Sequence, residues 1–401
     1  MNGGWASGNQ GVTMLDSAVD QEIRDLIQAH GRITFAQFMQ ACLYSPRGGF
    51  YSSRANRINK HFGTSATSHP VYGTLIVRQL EQMWHILGAP SPFHVIEVGS
   101  GDGALARSIV DACQQVAPDM AEALSYVAAD YEPWWPSPSV HAEGLDERIE
   151  GSRLPGGQEV GWGIHRVKAQ GLSCFRNVQG CILSNELLDN FPVHRFVIQS
   201  GQVKEVFVTL SEGRFTDVLD EPSTPRIEER LVDLGMSLPE GFLGEMNLAM
   251  DEWTGQLVDT LDRGFVLTID YGELAVDLYA SNNAQGTLVC FQDHVVSSDP
   301  YQHIGQQDIT TQVDYASLMR LGEGRGLTTV GYTLQRHFLD DLGFSSLLDE
   351  LQTRDLSYAR AELTRMAMMT LVDPEEYGNF KVLAQAKGLG SDLKLLGFKE
   401  R

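Results

Sequence analysis

Apolar positions fall at helical spacing early in the chain and at strand spacing later. Val19, Ile23, Leu26 and Ile27 recur every third or fourth residue and predict a helix over 16–30. Thr34 is a natural N-cap for a second helix over 34–43, with Phe35, Phe38 and Met39 on one face. The turn Ser45-Pro46-Arg47-Gly48-Gly49 ends it. A longer helix over 70–87 is opened by Pro70 and closed by Gly88 and Pro90. From Phe93 the pattern changes. Short apolar runs at 93–98, 124–129, 180–184, 265–269, 287–291 and 380–384 alternate with helical stretches such as 104–116, which indicates a mostly parallel α/β sheet. A hairpin pattern at 193–198 and 203–210, followed by two helices, reads as an insertion interrupting that sheet. Residues 1–16 read as disordered, and 131–163, rich in Pro, Gly and Trp, as an irregular insertion.

The strongest local signal is Val95-Ile96-Glu97-Val98-Gly99-Ser100-Gly101-Asp102-Gly103. A strand delivers an acid, three alternate glycines follow, and a helix begins. Glycines there let the backbone turn sharply and let a ligand approach main-chain amides at a helix N-terminus. Gly99-x-Gly101-x-x-Ala104 satisfies the dinucleotide fingerprint, so a nicotinamide-dependent oxidoreductase is one reading. The acid two residues before Gly99 and the third alternate glycine are similar to the first motif of S-adenosylmethionine (SAM) methyltransferases. Asp130 ends the second strand 31 residues after Gly99, further than the roughly 20 of the dinucleotide pattern. A carboxylate there can accept ribose hydroxyls in either family, so the loop alone leaves both cofactors open.

Composition narrows the partners. Thirty Lys+Arg against 52 Asp+Glu give a net charge of −22, which argues against nucleic acid or an anionic membrane as partner. The nearest basic cluster, Arg54, Arg57 and Lys60, reads as a solvated loop. No apolar run approaches the ~18 residues of a membrane span. The five cysteines include no CxxC, and the first 20 residues hold no Lys or Arg, so a reducing compartment, no leader and a cytoplasmic location are expected. No metal is expected: His294 and His303 flank Asp299-Pro300 without a third ligand spaced nearby. Trp134-Trp135 can either stack on an adenine or pack the insertion.

Six segments in order carry a family resemblance. Ile33-Thr34-Phe35-Ala36-Gln37-Phe38-Met39 with Leu43-Tyr44-Ser45-Pro46 and Gly49-Phe50-Tyr51-Ser52, then the glycine loop, resemble the MidA family of SAM-dependent methyltransferases. So do Asn185-Glu186-Leu187-Leu188-Asp189-Asn190-Phe191-Pro192-Val193, Ile269-Asp270-Tyr271-Gly272, the stretch 305–315, and Gly378-Asn379-Phe380-Lys381-Val382-Leu383. The likeness spans about residues 20–388. One segment departs, since two family acids stand here as His61 and Thr67, and Asp102 replaces a common arginine. That departure motivates a third reading, a SAM-binding assembly factor with weakened transfer.

The resemblance implies a Rossmann-like methyltransferase fold, SAM as cofactor, and methyl transfer to an arginine of a protein. The family's mitochondrial member acts on a respiratory complex I subunit, so a protein of that kind is the implied partner, and a homodimer is a further expectation. Cofactor contacts are expected from Glu97, Gly99, Gly101, Asp102, Gly103, Asp130 and Tyr131, with Thr64 and Ser65 from the departing loop. Catalytic roles are expected at Asn185, Glu186 and Asp189, where Glu186 and Asp189 would share the face of a helical turn. The bland alternative is that Glu186 caps a helix and Asp189 forms a salt bridge. The expected organisation is an N-terminal helical cap at 17–92, a SAM-binding core at 93–199, an inserted subdomain at 200–262, and the rest of the core with helical additions at 263–401.

Overall fold

The computed structural model describes residues 17–52, 64–130, 140–141, 164–169, 171–280, 284–293, 295–351 and 357–401. The expectations placed on 1–16, on Arg54, Arg57, Lys60 and His61, on Tyr131 and Trp134-Trp135, and on His294 fall outside the described residues. So does the 131–163 insertion, apart from its strand at Val140–His141.

Eight strands make the central sheet: β1 Phe93–Val98, β2 Leu124–Asp130, β3 Val140–His141, β4 Ile164–Lys168, β5 Val178–Asn185, β6 Leu261–Asp270, β7 Thr328–Leu334 and β8 Lys381–Lys387. Their spatial order is β7-β8-β6-β5-β1-β2-β4-β3. Neighbours are parallel throughout except at β8, which runs against both β6 and β7. Strand order reverses at β1, and at such a switch point open α/β sheets form a crevice beyond their C-terminal ends.

Alternation along β1 explains why both faces are covered. Phe93 and Val95 enter one core with the helices Val71–Ile86 and Ala104–Val116, whereas Ile96 and Val98 enter the other with Ala249–Thr260 and Tyr315–Glu323. Two glycines allow the closest approaches. A Cβ on Gly73 would stand 2.7 Å from the Ser108 carbonyl carbon, where two helices cross. A Cβ on Gly180 would stand 1.8 Å from the His94 carbonyl oxygen, between β5 and β1.

The helices Ala18–His30 and Phe35–Tyr44 do not pack on this sheet. They share a core with a second, antiparallel sheet ordered Ile33–Thr34, Gln202–Ser211, His194–Gln199, Leu243–Met246, with Arg214–Asp220 beside Gln202–Ser211. Thr34 caps the second helix reciprocally: its hydroxyl takes the Gln37 N–H at 3.1 Å, and the Gln37 side chain takes its own N–H at 3.0 Å.

One strand expectation is corrected. The 287–291 run does not join the central sheet; Val289–Gln292 pairs with Val295–Ser297 and Asp308–Thr310 in a separate three-stranded sheet. Only Cys290 of that strand is buried, so it lacks the two apolar faces an interior parallel strand needs. Gly180→Ala is expected to cost about 1–3 kcal/mol by overpacking between β5 and β1. Thermal unfolding reads this as a fall of several degrees in Tm, and an unchanged Tm would show that the strands part freely there.

Candidate active site

The crevice above β1 is a cavity of about 390 Å³. Its first wall is the glycine loop. Gly99, Gly101 and Gly103 all have positive φ (77°, 51° and 75°), a conformation that a side chain disfavours. The loop is bonded to β2: Gly99 and Ser100 N–H groups donate to Ala129 O, and Gly101 N–H donates to Asp130 Oδ2 at 2.7 Å. Asp102 Oδ1 accepts Ala104 N–H at 2.9 Å and so opens the Ala104–Val116 helix.

Glu97 lies buried under this loop with its carboxyl receiving the Tyr126 phenol at 2.7 Å. Burial pushes its pKa up to about 8, and the phenol hydrogen bond opposes that rise.

The opposite wall is the turn after β5. Glu186 is not on a helical turn, which corrects the shared-face expectation: its φ is +52°, and only Leu188–Asn190 is helical. Its carboxylate is turned to Ser65, taking the Ser65 N–H at 2.9 Å and hydroxyl at 2.7 Å at the start of the short Ser65–Ser68 helix. Asn185 Oδ1 receives the Tyr72 phenol at 2.7 Å and lies 3.2 Å from the Ser65 hydroxyl oxygen. Thr67 replaces the family acid without losing the cap, since its hydroxyl takes the Thr64 N–H at 3.0 Å.

Asp189 is placed differently. It is buried and lines the cavity, its Oδ1 makes no hydrogen bond of ordinary geometry among the described residues, and the Tyr271 phenol is the side chain that interacts with its carboxyl. Burial first, then the neighbouring Asp270 and Asp308 carboxyls, hold its pKa well above the usual carboxylate range. No salt bridge to it forms among the described residues. Of the expected site residues, Glu97, Gly99, Gly101, Asp102, Asp130, Thr64, Asn185, Glu186 and Asp189 all line one cavity, whereas Gly103 and Ser65 support the wall without reaching it.

Sequence reasoning missed several residues that build this end. Tyr44 and Tyr51 stack at 5.6 Å and 21°. Tyr44 donates to Asn190 O at 3.1 Å, and the Tyr51 phenol lies 2.9 Å from both Asn190 Oδ1 and Asp308 Oδ2. Asp308 Oδ1 also receives Asn190 Nδ2 at 2.9 Å. Tyr51, Asp270 and Asp308 all sit inside segments that carried the resemblance, where an acid or phenol in a motif was the available signal. Opposite them, Glu252, Trp253 and Gln256 line the cavity from the Ala249–Thr260 helix, and nothing but helical spacing marks them in the sequence.

Six carboxylates line the cavity (Glu97, Asp102, Asp130, Glu186, Asp189 and Glu252) and no Lys, Arg or His does among the described residues. Such a wall favours a cationic ligand. A family model of S-adenosyl-L-methionine-dependent methyltransferases matches residues 75–333. The chain belongs to the MidA family. Its cofactor is SAM, which decides between the two cofactors that the glycine loop left open, and this MidA-family chain is a SAM-dependent methyltransferase.

It is similar over most of its length to the protein arginine methyltransferase NDUFAF7 homolog, mitochondrial, of Drosophila melanogaster, 27% identical over 387 residues, covering 92% of this chain and 85% of that one. The human protein arginine methyltransferase NDUFAF7, mitochondrial, is 22% identical, covering 93% and 84%. A crystal structure from Burkholderia thailandensis, bound to S-adenosyl-homocysteine, superposes with a TM-score of 0.78 at 26% identity, covering 95% and 94%.

These names correct the cytoplasmic expectation, because the relatives are mitochondrial proteins. Unpaired cysteines indicate a reducing environment, and that does not single out the cytoplasm. No helix among the described residues is long and apolar enough to cross a membrane.

Burial raises the Asp308 pKa from 3.8 to about 7, against the opposing hydrogen bonds of Tyr51, Ile309 and Asn190. Between those values the folded chain holds a proton that the unfolded chain has lost. Its stabilising contribution is therefore full below pH 3.8 and lost as pH rises through about 7. Asp308→Asn keeps the shape of the neutral acid. The wild-type-minus-variant stability difference from urea titrations should decline with pH across that window and flatten above it. A pH-independent difference would show that Asp308 is ionised throughout.

Proposed function

We propose that this methyltransferase transfers the methyl group of SAM to an arginine side chain of a protein substrate. The observation that carries the reading is the buried Asp189 carboxyl, which lines the cavity with only the Tyr271 phenol to interact with it and whose Oδ1 makes no hydrogen bond of ordinary geometry. A guanidinium stays protonated near neutral pH and is the cation that a carboxylate holds bidentately. The stacked Tyr44–Tyr51 pair beside it adds an aromatic wall of the kind that attracts a cation. The names of the relatives support the same acceptor.

When bound, SAM supplies an electrophilic methyl carbon on a sulfonium. In this reading the backbone of Gly99–Gly103 meets the ligand closely, Asp130 takes the ribose hydroxyls, and Glu97 meets the ammonium of the methionine part. Asp102, Thr64 and Tyr131 complete the cofactor set, and Ser65 acts through Glu186. Asn185 and Glu186 position the acceptor, with Glu186 held rigid by Ser65. Asp189 binds the guanidinium and accepts the proton that the nitrogen must lose for its lone pair to attack. In-line transfer otherwise needs orientation and exclusion of water more than a strong base. The complex I subunit implied by the family resemblance is the first acceptor to assay.

Two outcomes are expected. Asp189→Asn should leave SAM affinity within about twofold by calorimetry while lowering label transfer to arginine by ~10²-fold or more, the scale of a lost general base. Full transfer by the variant, or label recovered on a carboxylate, hydroxyl or small molecule, overturns the reading. SAM affinity should rise with pH towards about 8 and then level off, because Glu97 must lose its proton to meet an ammonium. Glu97→Gln should flatten that profile, and an unaltered profile would remove Glu97 from the cofactor set.

A further inference from the structure

Beside Asp189 the cavity wall holds two phenols, and one of them leads to a buried acid. Phe50 N–H donates to Cys42 O at 2.9 Å and Tyr51 N–H to Leu43 O at 2.8 Å, which returns the chain against the Phe35–Tyr44 helix. The Tyr51 ring is thereby laid on Tyr44, and the Phe50 ring stands perpendicular to it at 5.1 Å. Both tyrosines are half-buried and line the cavity.

Asp308 lies behind them, 1% exposed and outside the lining. Its Oδ1 receives Asn190 Nδ2 and the Ile309 N–H, each at 2.9 Å, and its Oδ2 meets the Tyr51 phenol at the same distance. The phenol has one proton and two neighbours at 2.9 Å, that Oδ2 and Asn190 Oδ1. The charge on Asp308 decides between them. An ionised carboxylate is the stronger acceptor, so it draws the phenol proton and pushes electron density into the ring. A neutral Asp308 carries its proton on Oδ2, because Oδ1 already accepts two donors. It then donates to the phenol oxygen, the phenol turns to Asn190 Oδ1, and the ring gives up that density.

We propose that Asp308 is a specificity-determining residue for the methyl acceptor: through the Tyr51 phenol it makes the Tyr44–Tyr51 wall electron-rich, so that the cavity takes a planar cation in preference to a neutral isostere. The inference rests on the arginine reading proposed above. Burial puts the Asp308 pKa at about 7, so cation binding at this wall strengthens as pH rises through that value. Tyr51, Asp189 from the turn after β5 and the Cys290 thiol of the neighbouring strand are the titratable groups that face it. Burial keeps Tyr51 and Cys290 protonated at neutral pH, which leaves Asp189 to share the window.

The test is calorimetry on the full chain saturated with S-adenosyl-homocysteine. The probes are acetyl-Gly-Arg-Gly-amide and its neutral isostere, with citrulline in place of arginine. At pH 8 the wild type should bind the arginine peptide about tenfold more tightly than the citrulline peptide. Asp308→Asn should weaken the arginine peptide about fivefold at pH 8 and leave the citrulline peptide and S-adenosyl-homocysteine unaffected. At pH 6 wild type and variant should agree, because the acid is then neutral and the amide always is. Taking their ratio divides out the titration of Asp189. Tyr51→Phe should lose the same factor, and the double variant no more than either alone, since both changes cut one connection. A ratio that is equal at the two pH values, or losses that add in the double variant, overturns the proposal. If the wild type does not distinguish the two peptides, the arginine reading fails and this inference falls with it. If Asp189→Asn removes the preference while Asp308→Asn and Tyr51→Phe keep it, the arginine reading stands and this inference alone is wrong.

Discussion

The Asp270 side chain, fully buried at the end of β6, receives the N–H groups of Leu187 and Leu188 at 3.1 and 2.8 Å. Those amides belong to the turn leaving β5, and Glu186 N–H donates to Ile269 O at 2.9 Å beside them. The turn must leave a parallel strand without helical continuity, and a non-glycine residue at φ +52° is an unfavourable way to do so. A carboxylate that satisfies successive backbone donors compensates for that conformation. Glu186, Asp189 and Asn190 take their directions from it. Through them the Ser65–Ser68 helix and the Tyr51 loop find their places.

The resulting cavity and the shell of side chains behind it gather carboxyl groups in a desolvated place. Each acid there loses hydration, and the shifts of Glu97, Asp189, Asp270 and Asp308 all run upward with burial as the first cause. Hydrogen bonds from Tyr126, Tyr51 and backbone amides offset part of that cost. The remainder is relieved when a cation arrives, so the ligand completes an electrostatic arrangement that the chain leaves unbalanced. A SAM cofactor, with its sulfonium, is such a ligand.

How much of this was legible in the sequence depended on the range of the interaction. The glycine loop, β1, β2 and the Thr34 cap could be read locally, because each follows from a few neighbouring residues. The reversed β8 and the edge strand β7 could not, since their direction is set by the sheet they join. The separate sheet around Cys290 was mistaken for core because a one-sided apolar run looks like a two-sided one. Glu186 and Asp189 both line the cavity, but not on the shared helical face that their spacing suggested, for spacing of three says nothing about φ. Trp253 and Glu252 carried no motif, and only the placement of their helix in the fold brings them to the cavity.

Tyr51 and Asp308 meet at 2.9 Å although they lie 257 positions apart along the chain. Tyr51 lines the cavity with Asp308 behind it, while Gly101 of the glycine loop and Asp130, also in the lining, are 29 positions apart. The closure of a long chain segment carries a larger entropic cost than that of a short one. The far wall of the site therefore depends on chain closure across most of the protein, whereas the glycine loop depends on one local strand–helix–strand unit.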